Sequence, residues 1–382
     1  MSDRTDDPTT SDEYLQFIAG AILDTAKRAP PPNTATSPLD SAHEFHSLAS
    51  NAPSTQTYKW RVYAISDLHA DMTQNMRWVE SLPKYPPRSA LIVAGDVATA
   101  VSVCRKVFET LKQKFEEVFW CFGNHELWLP ASPNDATKIG YPDDSLGKLK
   151  ALIDVCCEIG IRIAPTVLPG TSGVATKDLE KSESGKSESG SQRKSSTNVL
   201  IIPILGWYDD NFGDSYREYT PEERDFDAGC KWPGEIGVVG EPRNLHAAGI
   251  GNFFQSVNRF IFSSKVFENL FASNSDTPVV TYSHFVPLRS VYRGTTQLSR
   301  VMGSDRIGEL AFKLGSNAHV FGHSHVNADD YASDPQSEKR KTVRFVQNAL
   351  GYPNERWLGN GQPKLVWPGE DDASQHNPCA SS

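Results

Sequence analysis

A chain of 382 residues with 38% apolar content can bury one large core or two smaller ones. Its formal net charge of −9 argues against a protein built to grip a nucleic-acid backbone. No apolar run approaches the roughly 20 residues of a membrane span. The opening residues carry Asp3, Asp6, Asp7, Asp12 and Glu13 where a secretory signal has basic and apolar regions, so a cytoplasmic location is expected. Cys104, Cys121, Cys156, Cys157, Cys230 and Cys379 show no zinc-type pairing. They read as reduced thiols, with those at 104, 121 and 156 in apolar, buried patterns.

Residues 1–57 are rich in Ser, Thr, Pro, Asp and Ala and read as a disordered tail, with Pro30, Pro31 and Pro32 breaking any helix. Within it Tyr14, Leu15, Ile18 and Ile22 fall near helical spacing. Two readings stand: an amphipathic helix docked on the domain or a partner, and a transient helix in a disordered tail. The folded domain is expected over 58–368. Trp60–Ile65, Ala90–Ala94 and Val118–Phe122 are short apolar runs of buried strands. Cys104, Val107, Phe108, Leu111 and Phe115 set an amphipathic helix between the second and third, a βαβ-like start. A helix is predicted over 144–158, with Leu146, Leu149, Leu152, Ile153 and Cys156 as its stripe and Gly160 as its stop. Residues 171–198 contain the direct repeat KSESGKSESG and are expected to be a disordered insertion. Further strands are predicted at Val199–Leu205, Pro278–Ser283, Ala318–Phe321 and Thr342–Val346. Residues 211–251 read as loop. A helix carrying Phe254, Val257, Phe260 and Ile261 follows, and another over 305–314 is stopped by Gly315. Residues 369–382 are expected to be a disordered tail.

The chemistry-bearing residues sit at the ends of predicted strands. Asp67-Leu68-His69 follows the first, Gly95-Asp96 the second, Gly123-Asn124-His125-Glu126 the third, and Gly322-His323-Ser324-His325 the AHVF strand. A single His284 ends PVVTYS. Residues just past the carboxyl ends of neighbouring strands converge in space. Glycine before Asp96, Asn124 and His323 permits tight turns and close backbone approach. Asp, Asn and His together offer hard oxygen and borderline nitrogen donors, a set suited to Zn, Fe or Mn. Each residue also has a bland reading. Asp67 and Asp96 can form turns, Asn124 a left-handed turn, and His284 a satisfied core position. His43, His46, His246, His319 and His376 keep the bland reading, and Asp71 is either a solvated turn acid or a water-mediated neighbour of the site.

The ordered set DxH, GD, GNHE, H and GHxH resembles the calcineurin-like metallophosphoesterases over Asp67 to His325. The resemblance implies an α/β fold: a four-layer β-sandwich flanked by helices, with the site at strand ends on one edge. The strand pattern alone does not choose this over a single doubly wound sheet. It further implies two divalent or trivalent metal ions, Mn, Fe or Zn. Asp67, His69 and His325 would hold the first, Asn124, His284 and His323 the second, and Asp96 would bridge them. The implied reaction is hydrolysis of a phosphomonoester or phosphodiester by a metal-bridging hydroxide. His125 would serve as general acid or transition-state stabiliser, and Glu126 would hydrogen-bond and orient it. Trp207-Tyr208 and Gln347–Arg356 (QNALGYPNER) resemble a less studied eukaryotic branch of the same superfamily.

Family resemblance does not name the substrate. Val97-Ala98-Thr99-Ala100 follows Gly95-Asp96 where the protein Ser/Thr phosphatases of the superfamily carry an Asp-Arg pair, which disfavours that activity. The absence of a clear basic stripe disfavours a nuclease. The expected partner is a small phosphate ester, with a nucleotide-like one among the candidates. Arg289 and Arg293 are candidates for its phosphate, and Tyr208, with Trp207, for stacking on its organic group. Surface arginines and packed aromatics are the bland alternative. A non-catalytic scaffold is the competing class, and the intact motif set speaks against it.

Overall fold

The protein is described here by a computed structural model covering residues 11–28, 59–129, 144–170, 198–209, 211–213, 218–233, 247–336, 341–355 and 361–368. The 369–382 tail, the 171–198 insertion apart from Asn198, and most of the 1–57 tail lie outside them.

In chain order the strands are β1 (Arg61–Ile65), β2 (Ser89–Ala94), β3 (Glu117–Cys121), β4 (Thr166–Leu168), β5 (Val199–Pro203), β6 (Val279–Tyr282), β7 (Ala318–Phe321), β8 (Ala328–Ser333), β9 (Thr342–Gln347) and β10 (Lys364–Trp367). They form two sheets, ordered β10-β1-β2-β3 and β4-β5-β6-β7-β9-β8. The central strands of each run parallel, and β10, β4 and β8 pair antiparallel at the edges.

Side chains alternate along a strand, so each strand feeds two apolar layers. Val62, Ala64, Ala90, Ile92, Ala94, Phe119 and Cys121 of one sheet face Val199, Ile201, Val280, Tyr282, Val320 and Val346 of the other. The alternate residues, among them Leu91, Val93, Val118, Trp120, Leu200, Ile202 and Phe345, join the larger core with the helices. Two mixed sheets flanked by helices result, and the single-sheet reading drops out.

The helices are α1 (Ser11–Arg28), α2 (Thr73–Ser81), α3 (Val101–Lys114), α4 (Asn124–Leu127), α5 (Ser145–Ile159), α6 (Pro221–Asp225), α7 (Ala247–Phe262), α8 (Lys265–Ala272) and α9 (Asp305–Lys313). Cys104, Val107, Phe108 and Leu111 bury one face of α3 at i, i+3, i+4 and i+7. The Asp144 carboxylate caps α5 by accepting from Gly147 N, and Gly160 ends it at φ 82°. Residues 211–251, expected as loop, hold α6 under a Thr220/Glu223 capping box and the start of α7. The unpredicted β8 has no apolar run: it is the edge strand ADDYAS with alternating exposure. Among the described residues no helix is long and apolar enough to cross a membrane. Cys104, Cys121, Cys156, Cys157 and Cys230 are free thiols, all but Cys157 buried.

The expectation of a disordered tail needs correction at residues 11–28. That segment is helical, and Tyr14, Ile18, Ala19 and Ile22 enter the main core. α1 packs against α5 and α7, and Tyr14 donates to the Asp144 carboxylate at 2.7 Å. The docked-helix alternative is the one the fold uses. Ile18 is fully buried, so Ile18→Ala is expected to cost about 2–5 kcal/mol. Urea unfolding should show a lower midpoint at an unchanged slope; a midpoint equal to wild type would mean that α1 is not part of the core.

Candidate active site

Five strands deliver the candidate residues to one edge. Asp67 and His69 follow β1, Asp96 follows β2, and Asn124 and His125 open α4 directly after β3. His284 follows β6, and His323 and His325 follow β7. The chain turns sharply at these points. Asp67, His69, Asp96, His323 and His325 all have positive φ, between 41° and 75°. Each such conformation costs an L-residue about 1 kcal/mol or more, and the strain collects at the candidate site. The turns are held by Asp67 N donating to Gly95 O, His69 N to Asp96 O and Ala70 N to Val97 O, at 2.8–3.0 Å. Close approach explains two glycines. A Cβ on Gly123 would lie 2.2 Å from Asp96 Oδ1, and one on Gly95 would lie 2.4 Å from the His284 ring.

The donor atoms form two groups sharing one member. Those of Asp67, His69, Asp96 and His325 lie within 4.8 Å of one another, as do those of Asp96, His284 and His323. Asp96 Oδ2 stands 3.5 Å from His284 Nε2 and 3.9 Å from His69 Nε2. Asn124 Oδ1 is 3.3 Å from His284 Nε2. Outer partners aim the rings. His284 Nδ1 donates to Ala94 O, and His323 Nε2 to Val301 O. The remaining nitrogens, His284 Nε2 and His323 Nδ1, then face each other as lone pairs 3.0 Å apart. Two acceptors with no proton between them are an arrangement that a cation satisfies, and so the donor set fits metal ions.

Electrostatics agrees at three of the four candidate imidazoles, while His325 is paired with carboxylates instead. Burial pushes the imidazoles of His69, His284 and His323 below their ordinary value, keeping them neutral as ligands must be. Burial is the largest influence on Asp67 and opposes its ionisation, but the charge and hydrogen bond of His325, with the nearby His284 and His69, together outweigh it and hold the carboxyl below the usual range. His325, disfavoured by burial, is pushed up to about 10 by Asp67 and Glu355. Asp96 is raised by burial and by the charges of Glu126 and Asp67. A carboxyl that is costly to ionise among other carboxylates becomes favourable to ionise beside cations.

His125 lies beside this centre. Its Nε2 is 4.0 Å from Asp96 Oδ2, its ring stacks on Trp128 with centroids 3.8 Å apart, and burial pushes it down to about 3. Glu126 corrects an expectation. Its carboxylate accepts from the backbone N–H groups of Asp96, Val97 and Gly123 at 2.5–3.0 Å instead of pairing with His125. It ties the loop after β2 to the loop after β3.

The residues expected to contact substrate have partners within the protein. Tyr208 is only 2% exposed, with Asp227 near its phenol, and Trp207 is buried beside it. Arg289 turns to Asp305 and the Asn211 carbonyl, and Arg293 to Asp330 at 2.9 Å. Asp71 accepts from Thr99 N, and His319 is buried between the hydroxyls of Thr281 and Ser283. His43, His46, His246 and His376 lie outside the described residues. Two contributors were not foreseen. Asp227 accepts from Asn124 Nδ2 and Trp128 Nε1 at 2.9 and 2.8 Å, and Glu355 meets His325 Nδ1 at 2.8 Å. Glu355 lies in the 347–356 segment singled out by its resemblance, whereas nothing local marks Asp227.

Paired sheets with Asp, Asn and His donors gathered at one edge around a shared carboxylate define a metallophosphoesterase-type hydrolase. The profile of the calcineurin-like phosphoesterases matches residues 61–327, and the chain belongs to that family of metal-using phosphoester hydrolases. It is similar to the acyl-carrier-protein phosphodiesterase PptH of Mycobacterium tuberculosis, 36% identical over 316 residues that cover 77% of this chain and 78% of that one. The crystal structure of the phosphopantetheinyl hydrolase PptH from the same organism superposes with a TM-score of 0.55 and 21% identity, covering 84% of this chain and 99% of that one.

Gly123→Ala tests the packing around Asp96. The added methyl should destabilise the fold by about 1–3 kcal/mol and displace Asp96, lowering the metal retained on elemental analysis. Wild-type stability and metal content in this variant would refute the close-approach account.

Proposed function

We propose that this chain is a metal-dependent phosphodiesterase whose substrate is a phosphopantetheinyl-type diester on a carrier protein. The observation that carries the metal part is the pair of donor groups sharing Asp96. The substrate part draws on the 36%-identical relative, named as a phosphodiesterase of acyl carrier protein. That relative favours a protein-borne diester over the small, nucleotide-like ester expected from sequence.

Asp67, His69 and His325 would hold one ion, Asn124, His284 and His323 the second, and Asp96 both. Mn, Fe or Zn ions held there would supply Lewis acidity toward phosphate oxygens and lower the pKa of a water between them. The protein's own groups do the rest. His125, kept neutral by burial, serves as a hydrogen-bond donor that steadies the departing oxygen, in preference to a general acid. Stacking on Trp128 fixes the plane of its ring. Asp227 takes the Nδ2 hydrogen of Asn124, which turns Oδ1 inward. Glu126 holds the Asp96 backbone against Gly123, so the shared carboxylate does not drift.

The test is elemental analysis of the purified chain with assays on bis-p-nitrophenyl phosphate, p-nitrophenyl phosphate and a phosphopantetheinylated carrier protein. Expected are about two metal ions per chain, preference for the diesters, and loss of activity on chelation. Asp96→Asn should lose metal and activity together. His125→Ala should keep its metal and slow by about 10²–10⁴-fold. Folded protein that binds no transition metal and hydrolyses none of the three would defeat this reading and bring the scaffold to the front.

A further inference from the structure

The turn after β9 reaches over the site from the second sheet. The Tyr352 ring stacks on His69, with centroids 4.3 Å apart and planes at 27°, and meets His325 edge-on at 5.0 Å. Its hydroxyl stands 3.4 Å from His125 Nε2. The backbone carrying it is tied to the ligand loops. Leu350 N donates to Ser66 O, Gly351 N to Asp67 O, and Asn75 Nδ2 to both Gly351 O and Leu68 O, all at 2.8–3.0 Å. Glu355 Oε2 accepts from Tyr352 N at 2.9 Å and faces His325 Nδ1 at 2.8 Å. The phenol is therefore positioned by the same loops that aim Asp67 and His325.

A Tyr–His contact of 3.4 Å is long for a hydrogen bond. His125 Nε2 in turn lies 4.0 Å from Asp96 Oδ2. An oxygen bound between the Tyr352 hydroxyl and His125 Nε2 would accept from both at better distance. A phenol O–H is a hydrogen-bond donor and can serve that oxygen.

We propose that Tyr352 is a catalytic residue: its hydroxyl, together with His125, donates a hydrogen bond to the ester oxygen that leaves. The inference rests on the phosphodiesterase reading. In the step, water bonds to phosphorus and releases one proton to solvent. The bond from phosphorus to the alcohol oxygen breaks, and the electron pair stays on that oxygen. Hydrogen bonds from Tyr352 and neutral His125 stabilise the charge until solvent supplies a proton. Tyr352 and His125 keep their own protons throughout. Stacking on His69 and the ties at Gly351 set the hydroxyl in place before substrate arrives, as such stabilisation requires.

A donor to the leaving oxygen matters most when the leaving group is poor. The experiment uses the full, metal-loaded chain and two diesters: bis-p-nitrophenyl phosphate, with a good leaving group, and diphenyl phosphate, with a poorer one. Tyr352→Phe keeps the ring on His69 and removes only the hydroxyl. It should lower kcat on diphenyl phosphate by about 100-fold, the low end for losing one preorganised donor. The diphenyl to nitrophenyl ratio of kcat should fall at least about tenfold, with wild-type metal content and Tm. Tyr352→Ala, which also loses the stack, should lose metal as well. An equal fall on both esters, wild-type rates on both, or metal loss in Tyr352→Phe would overturn the inference and leave the phosphodiesterase reading standing. A wild-type chain inactive on every diester would overturn both.

Discussion

A carboxyl buried as deeply as Asp96 must either have its charge answered or take up a proton. Here the answer is incomplete within the protein. His125 N donates to Oδ1, and three imidazoles stand 3.5–4.0 Å from Oδ2, but burial holds those imidazoles neutral. Asp67 and Glu126 add two more fully buried carboxyls. Glu126 is met by three backbone N–H groups and Asp67 by His325. Asp96 has neither, and it belongs to both donor groups. On the metal reading, cations complete its electrostatics, so metal binding and folding draw on the same free energy.

That demand explains why the donors stand where they do. A flexible arm could not hold several like-charged or lone-pair-bearing groups at contact distance; a strand end fixed by two apolar layers can. Asp67, His69 and Asp96 come from the sheet holding β1 and β2, and His284, His323 and His325 from the sheet holding β6 and β7. The centre therefore joins the two sheets at one edge, as the layer of Ile92, Phe119, Val280 and Tyr282 joins them inside. Of the five left-handed backbone positions, Asp67 and His69 are held by their N–H groups on the Gly95 and Asp96 carbonyls, and His323 by its N–H on the Asp67 carboxylate.

What was legible in the sequence was local. The strands with apolar runs and the ligand motifs at their ends are each contained in a few consecutive residues, so their pattern needs no tertiary information. The failures are of three physical kinds. Glu126 was paired with its neighbour His125, yet consecutive residues on a helical turn do not face each other, and its carboxylate turns back to the chain ends it joins. Arg289 and Arg293 were placed by nearness to His284 along the chain, but the segment leads outward to Asp305 and Asp330. Asp227 and α1 act across long sequence separations: Asp227 reaches Asn124 over 103 residues, and Tyr14 reaches Asp144 over 130. No window of sequence contains both partners.

These corrections bear on how a substrate would be selected. The arginines expected to grip phosphate have carboxylate partners of their own, and Tyr208 is enclosed with Trp207 and Phe285. On the phosphodiesterase reading, recognition of phosphate charge then falls to metal ions and to neutral donors, an arrangement indifferent to what the ester oxygens carry. Discrimination must come from the surfaces around the centre. Trp128 stacks on His125 and Tyr352 on His69, so the histidine nearest the departing oxygen and one metal-ligand candidate each bear an aromatic wall. Such walls offer apolar area at little entropic cost and suit a long organic arm better than a compact monoester. On that reading, the same rings that fix the imidazoles shape the route by which a diester reaches them.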